Sequence, residues 1–148
     1  MYYTDSLKLN IVAYDFDAAT GAITNERVFY APPQKGDEIA APDSHAMDVE
    51  GCIWAAIYGG SKVVRISPEG SVLAEIVLPT RNITDVAFVG ESVFITCATE
   101  QNVDTFPEAA ANSGHLFRCH VGVKGRPLNK FRLADDKIGV TEMRLGML

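Results

Sequence analysis

Three side chains have the type and placement to do chemistry: Asp43, His45 and Asp85. Asp43 and His45 share the run Pro42-Asp43-Ser44-His45, and Asp85 follows Asn82-Ile83-Thr84. A carboxylate at the mouth of a strand can face a cavity, where it can accept a proton or bind one side of a cation. An imidazole close by titrates near neutrality and can act as an acid or donate to such a carboxylate. A lone carboxylate does not make a calcium site, because Ca²⁺ takes about six to eight oxygen ligands. Each group also has a plainer reading. Asp43 is then a turn residue after proline, His45 a packed or channel-lining histidine, and Asp85 a strand-edge carboxylate; for His45 and Asp85 the plainer reading is favoured. Asp48 and Glu50 read as turn and surface carboxylates. The sequence has no Ser-His-Asp order, no nucleotide-binding glycine loop and no Cys-x-x-Cys pair.

Strands must position these groups. Residues 42–44 suit a loop, since Pro42 fixes its own φ and Asp43 and Ser44 bond nearby backbone. Residues 45–49 read as a short strand with Met47 and Val49 on one face, Glu50-Gly51 as a reversal, and 53–58 as a buried strand. The same patterning predicts strands at 1–4, 10–16, 23–30, 62–66, 72–78, 83–89, 92–97, 114–121 and 128–133. Lys124-Gly125-Arg126-Pro127 reads as a turn. The polar segment 98–113 is long enough to be a lid or a loose insertion, with one helical turn at Pro107-Glu108-Ala109-Ala110-Ala111. Trp54, Tyr58, Phe94, Tyr2 and Tyr3 read as core, and Arg65 and Arg118 as structural arginines at matching positions.

The units repeat. An apolar strand, a turn, and a strand holding a polar residue recur in Ile53-Trp54-Ala55-Ala56 with Val63-Val64-Arg65-Ile66, and in Val93-Phe94-Ile95-Thr96 with Leu116-Phe117-Arg118-Cys119. A period of about 40 to 50 residues with four short strands is a β-propeller signature; a sandwich or small barrel does not predict it. The 148-residue chain is 47% hydrophobic with a net charge of −6, which argues against nucleic acid or an anionic membrane as partner. No run approaches the ~18 apolar residues of a membrane helix, and no basic-then-apolar leader is visible at Met1-Tyr2-Tyr3-Thr4-Asp5. Cys52, Cys97 and Cys119 read as reduced thiols, so a cytoplasmic location is expected.

The ordered set Pro42-Asp43 through Gly51, Tyr58-Gly59-Gly60, Val63-Val64-Arg65-Ile66, Pro68-Glu69-Gly70 and Leu78-Pro79 resembles the gluconolactonase and regucalcin (senescence marker protein) family. Tyr2-Tyr3-Thr4-Asp5-Ser6 upstream and Gly114-His115-Leu116-Phe117-Arg118 downstream look like its neighbouring blades. The resemblance implies an all-β, six-bladed propeller that binds a divalent cation (Ca²⁺, or Zn²⁺, Mg²⁺ or Mn²⁺) in its central channel and hydrolyses sugar lactones. Of the family's metal ligands only the Asp of the Pro-Asp motif has a counterpart, Asp43, which the resemblance also makes the water-activating group. His45 and Asp85 are candidates for lining the channel or supporting that ligand. Ser44 and His45 replace the family's usual glycine and apolar residue.

The likeness covers residues 1–133 as a partial propeller of about three blades, near 1–41, 42–80 and 81–133, with a tail at 134–148. The first of these begins at its second strand, and the remaining metal and sugar contacts of the family are expected upstream of Met1. The expected function is therefore a metal-dependent hydrolase of sugar lactones, incomplete as this chain, with cation binding weak or absent in half a ring. The alternative is a non-catalytic scaffold that binds a ligand or protein. Three arrangements stay open: a truncated piece of a full lactonase, which is favoured, a homodimer that closes the ring, and a half-ring that persists as a scaffold.

Overall fold

The computed structural model describes residues 1–36 and 38–128. Three small antiparallel sheets stand side by side. The first is Tyr2–Asp5 (β1), Asn10–Phe16 (β2) and Ile23–Tyr30 (β3), in the order β1-β2-β3. The second is a four-stranded meander of Ala41–Met47 (β4), Ile53–Tyr58 (β5), Lys62–Ile66 (β6) and Val72–Val77 (β7). The third is Ile83–Val89 (β8), Ser92–Cys97 (β9) and Leu116–His120 (β10), with the short helix Pro107–Ala111 (α1) between β9 and β10. This is a partial β-propeller in which β4 and β8 are the innermost strands of their sheets.

Strand β5 explains the architecture. Ile53, Trp54, Ala55, Ala56 and Ile57 are all buried, so both faces of the strand are covered, which is why it reads as one apolar run. Ile53, Ala55 and Ile57 pack with Ile11 and Tyr30 of the first sheet. Trp54 and Ala56 pack with Ile83, Val86, Val93 and Ile95 of the third. Each buried Ile or Val contributes about 1.5–3 kcal/mol relative to exposure. The middle sheet is thus clamped between two apolar layers.

The outer faces of the half-ring are less covered. Tyr3, Val12 and Val28 lie opposite one another across β1, β2 and β3, yet Tyr3 is 55% and Val28 64% exposed. Tyr3 is therefore not core, although Tyr2 is packed against Phe29, ring centroids 4.7 Å apart. Tyr58 also stands out, at 39% exposure. Tyr3 faces a side with no neighbouring layer, while Tyr58 ends β5 on the face it shares with Trp54 and Ala56, where a pocket opens toward residues 100–102 and Phe106.

Three further expectations are corrected. Residues 42–44 belong to β4 rather than to a loop. Among the described residues Pro42 pairs with Ile57 of β5 alone, on the edge of the sheet, so its absent N–H costs no ladder bond there. Residues 124–127 do not turn; Gly125 pairs with Asp48 in an isolated bridge, the Arg126 N–H donates to the Met47 carbonyl at 2.8 Å, and the Val49 N–H donates to the Lys124 carbonyl at 3.0 Å. A Cβ at Gly125 would run into the Phe88 side chain, so glycine lets this strap lie on the end of the inner strands. Asp48 is 1% exposed and is not a surface carboxylate. The strand expected at 128–133 and the tail 134–148 lie outside the described residues, apart from Leu128.

Candidate functional site at the channel mouth

The inner strands β4 and β8 each carry a bulge near their start. On β4 the register runs from Pro42 opposite Ile57 to His45 opposite Ala55, one residue too many. On β8 it runs from Ile83 opposite Cys97 to Asp85 opposite Thr96, again one too many. A bulge bends the strand and re-aims a side chain. In β4 the bulged stretch holds Asp43, and in β8 it ends on Asp85. Sequence reasoning placed both residues near inner strands but had no signal for the bulges, because an extra residue leaves the composition unchanged.

Asp43 and Asp85 are both exposed. Partial desolvation on the strand still raises the Asp43 carboxyl above its ordinary range, and the charge of Asp85 raises it further. Burial lowers the His45 imidazole, and the same Asp85 charge works against that shift. One oxygen of Asp85 accepts the Val86 N–H at 2.8 Å, which fixes the carboxylate on its bulge. The structure thus brings Asp43, His45 and Asp85 to one region.

The first sheet supports this region from the side. Thr4 Oγ1 lies 2.8 Å from His45 Nδ1, and the Ser6 hydroxyl donates to the Pro42 carbonyl at 2.8 Å. Sequence reasoning missed both, since a threonine and a serine some forty residues upstream carry no motif. Below the mouth the inner strands open on a cavity of about 770 Å³, lined by His45, Met47, Val86 and Phe88 and floored by the 124–128 strap.

A divalent cation does not fit the described residues unaided. Among them no three His, Cys, Asp or Glu side chains converge as a metal-binding group. Asp43 offers one ligand and Asp85 a second charge, short of the oxygen count that Ca²⁺ needs.

The rim of the mouth is built by residues that sequence reasoning passed over. Glu100 is 3% exposed. Its carboxylate accepts the Asn102 N–H at 2.9 Å, the Arg81 guanidinium at 3.3 Å and the Asn82 side-chain amide at 3.5 Å. The Ala98 N–H donates to the Asn82 carbonyl at 2.9 Å. Segment 98–106 is thereby tied to the residues that lead into β8, and is an ordered wall rather than a loose insertion. The only sequence signal was an acidic residue inside a polar loop.

Comparison with known proteins places these features. A family model described as the SMP-30/Gluconolactonase/LRE-like region matches residues 1–99. Regucalcin of Sus scrofa is 37% identical over 135 residues, covering 85% of this chain and 43% of the relative. Regucalcin of Homo sapiens is 35% identical over 133 residues, 84% of this chain and 42% of the relative. The chain therefore spans less than half the length of the curated relatives it matches. Among solved structures, a luciferin-regenerating enzyme superposes with a TM-score of 0.76 at 30% identity, over 90% of this chain and 45% of that one. A calcium-binding protein, regucalcin, from Agrobacterium tumefaciens gives 0.75 at 29%, over 89% and 45%.

Proposed function

Because the chain belongs to the SMP-30/gluconolactonase/LRE-like family, we propose that it carries part of the channel of a sugar-lactone hydrolase, with Asp43 as its reacting carboxylate. The observation that supports this reading is the bulge in β4 that holds Asp43, an exposed carboxylate whose pKa is raised by partial desolvation and by the neighbouring Asp85 charge. A carboxylate with a raised pKa is a stronger base in its ionised form.

In this reading Asp43 takes a proton from a water molecule as the water oxygen attacks the lactone carbonyl carbon. The tetrahedral intermediate then collapses, the ring C–O bond breaks, and the ring oxygen leaves as a hydroxyl on receiving the proton that Asp43 took from the water, which restores the carboxylate. The product is the open hydroxy acid. No step is drawn through a cation, because the described residues do not supply its ligand set. His45 stands within the same mouth and, held through Nδ1 by Thr4, shapes the space beside the attacked carbon.

The test is hydrolysis of glucono-δ-lactone with Ca²⁺, Mg²⁺, Mn²⁺ or Zn²⁺ added in turn, run beside Asp43→Asn. Hydrolysis above the spontaneous rate that Asp43→Asn abolishes supports the reading. Activity that survives Asp43→Asn removes Asp43 from the chemistry. Activity absent under every metal favours the scaffold reading, which the uncovered faces at Tyr3 and Val28 support independently. Size-exclusion mass then tells whether two 16.0 kDa copies close the ring over those faces.

A further inference from the structure

Two adjoining pockets lie on the face from which β4 and β8 set out. One, of about 510 Å³, sits between the loop before β4 and the turn joining β5 to β6. The other, of about 380 Å³, sits between that turn and segment 98–106. They share Glu38, Gly59, Arg81 and Phe106, so together they form one groove. Ala40, at one end, is three residues before Asp43; Asn82, at the other, is three before Asp85. At about 3.3 Å per strand residue, the groove begins roughly 10 Å from each carboxylate.

We propose that this groove is the subsite for the hydroxylated part of a ring lactone or of its opened hydroxy acid, and that it sets the preference for polyhydroxy over plain lactones. The proposal rests on the lactonase reading for the reaction, but it also makes a binding claim that stands apart from turnover.

The lining has the chemistry a polyol needs. Glu38, Arg81 and Asn102 offer donors and acceptors for hydroxyls, while Tyr58 and Phe106 offer apolar surface for the C–H faces between them. Acidic and basic side chains both contribute, which suits a neutral hydroxylated chain better than a densely charged ligand. The walls are fixed before a ligand arrives. The Arg81 guanidinium lies flat over Phe106, 3.4 Å from the ring centroid, while Glu100 ties it to Asn82 and Asn102 from behind. The Ser61 N–H donates to the Arg81 carbonyl at 3.1 Å, which ties the β5–β6 turn to the same junction. The floor is glycine for a reason: Gly59 has φ +72°, and a Cβ there would run into the Ile39 carbonyl. A groove whose walls are already ordered loses less entropy on binding.

The experiment titrates isotope-labelled protein with gluconate and, separately, with 6-hydroxyhexanoate, an acid of the same chain length with a single hydroxyl. The expected result is that amides of Gly59, Gly60, Asn82 and Asn102 shift with gluconate and not with 6-hydroxyhexanoate. Glu38→Gln and Asn102→Ala are expected to weaken gluconate binding about fivefold or more, with Tm held within about 1 °C. If the protein hydrolyses lactones, the same variants raise KM for glucono-δ-lactone about fivefold against δ-valerolactone, with kcat little changed. No groove shift at about 50 mM gluconate, a Kd too weak to matter, overturns the groove whatever the hydrolysis assay gives. Equal shifts with both acids overturn it too, since the carboxylate alone would then be read. Groove shifts without hydrolysis leave the subsite standing and count against the lactonase reading alone.

Discussion

The Arg65 guanidinium reaches the buried Asp48 carboxylate at 2.7 Å across the second sheet. The same carboxylate accepts the Trp54 indole N–H at 3.0 Å and the backbone N–H groups of Cys52 and Glu50 at 2.9 and 3.0 Å. Asp48 closes the turn after β4, Trp54 lies in β5 and Arg65 in β6, so one carboxylate fastens the end of the inner strand to the next two strands of its sheet.

Removing that carboxylate leaves the indole N–H without its acceptor and the guanidinium with Glu50, an exposed carboxylate at 2.6 Å, in place of the buried one. Asp48→Ala is expected to cost about 3–5 kcal/mol, the range for breaking a buried pair. The measurement is the midpoint of urea unfolding. Burial on its own raises the Asp48 carboxyl, but the bonds from Trp54, Arg65 and Cys52 outweigh it, and the net shift is downward. A carboxyl lowered by folding contributes stability above its unfolded pKa of about 3.9. That stability is lost as pH falls through the lower folded value. Asp48→Ala should therefore narrow its gap to the wild type only in strongly acid solution; a gap unchanged from neutrality through pH 2, far below the unfolded pKa of about 3.9, would remove the carboxylate's charge from the account.

The positions of β2, β3, β5, β6, β8 and β9 were legible because alternation and turn chemistry act locally. The α1 turn was legible for the same reason. What stayed hidden depends on contact across the chain. Asp48 looks like any turn aspartate until Arg65 and Trp54 are folded onto it. Residues 124–127 look like a turn until Gly125 is seen lying on Phe88. At the candidate site, Asp43, His45 and Asp85 were singled out by type and motif. Their bulges, the Thr4 and Ser6 supports and the Glu100 anchor could not be found that way, because each arises from register or from a partner distant in sequence.

His45 should titrate below the usual histidine range. Burial lowers its imidazole, and the opposing Asp85 charge does not restore it. A histidine kept neutral by folding supports stability at neutral pH. The support fades as pH falls below about 6.5, the unfolded value, toward the lower folded pKa. The imidazole proton resonances, followed against pH, are expected to give a midpoint below about 6.5. In Asp85→Asn the midpoint should fall further, because the charge that favours imidazolium is gone. A midpoint that rises in Asp85→Asn would mean that Asp85 does not face His45.

The acid limb of any lactone hydrolysis should follow Asp43. Its raised carboxyl must be ionised to act as a base, so kcat/KM is expected to rise with pH through a value above the ordinary aspartate pKa of about 3.9. Asp85→Asn removes one of the two causes of that shift and should move the limb to lower pH without abolishing turnover. A limb that stays in place would remove Asp85 from the mouth's electrostatics.

Gly125 tests the strap. A side chain there meets the Phe88 ring, and the two backbone bonds that hold the strap to Met47 and Val49 lie within one residue of it. Gly125→Val is expected to cost about 1–3 kcal/mol, as overpacking does, and to speed hydrogen exchange at the Arg126 and Val49 amides first. Phe88→Gly in the same chain removes both the Cβ and the ring that the added side chain meets and should recover part of the loss; full additivity of the two changes would show that they do not touch.

Cation addition decides how much the half-ring retains of a metal site. One carboxylate with a second charge nearby binds a divalent ion weakly, with Kd of order 10 mM or more. At 1 mM ion the stabilisation is then RT ln(1 + 0.1), about 0.06 kcal/mol, which shifts Tm by well under about 1 °C. Ca²⁺, Mg²⁺, Mn²⁺ and Zn²⁺ at about 1 mM are therefore each expected to leave the melting curve in place. A rise of several degrees that Asp43→Asn abolishes would correspond to a site about a hundredfold tighter or more. It would show that oxygens beyond Asp43 and Asp85 converge on the mouth, from a second copy closing the ring or from the backbone of the bulges.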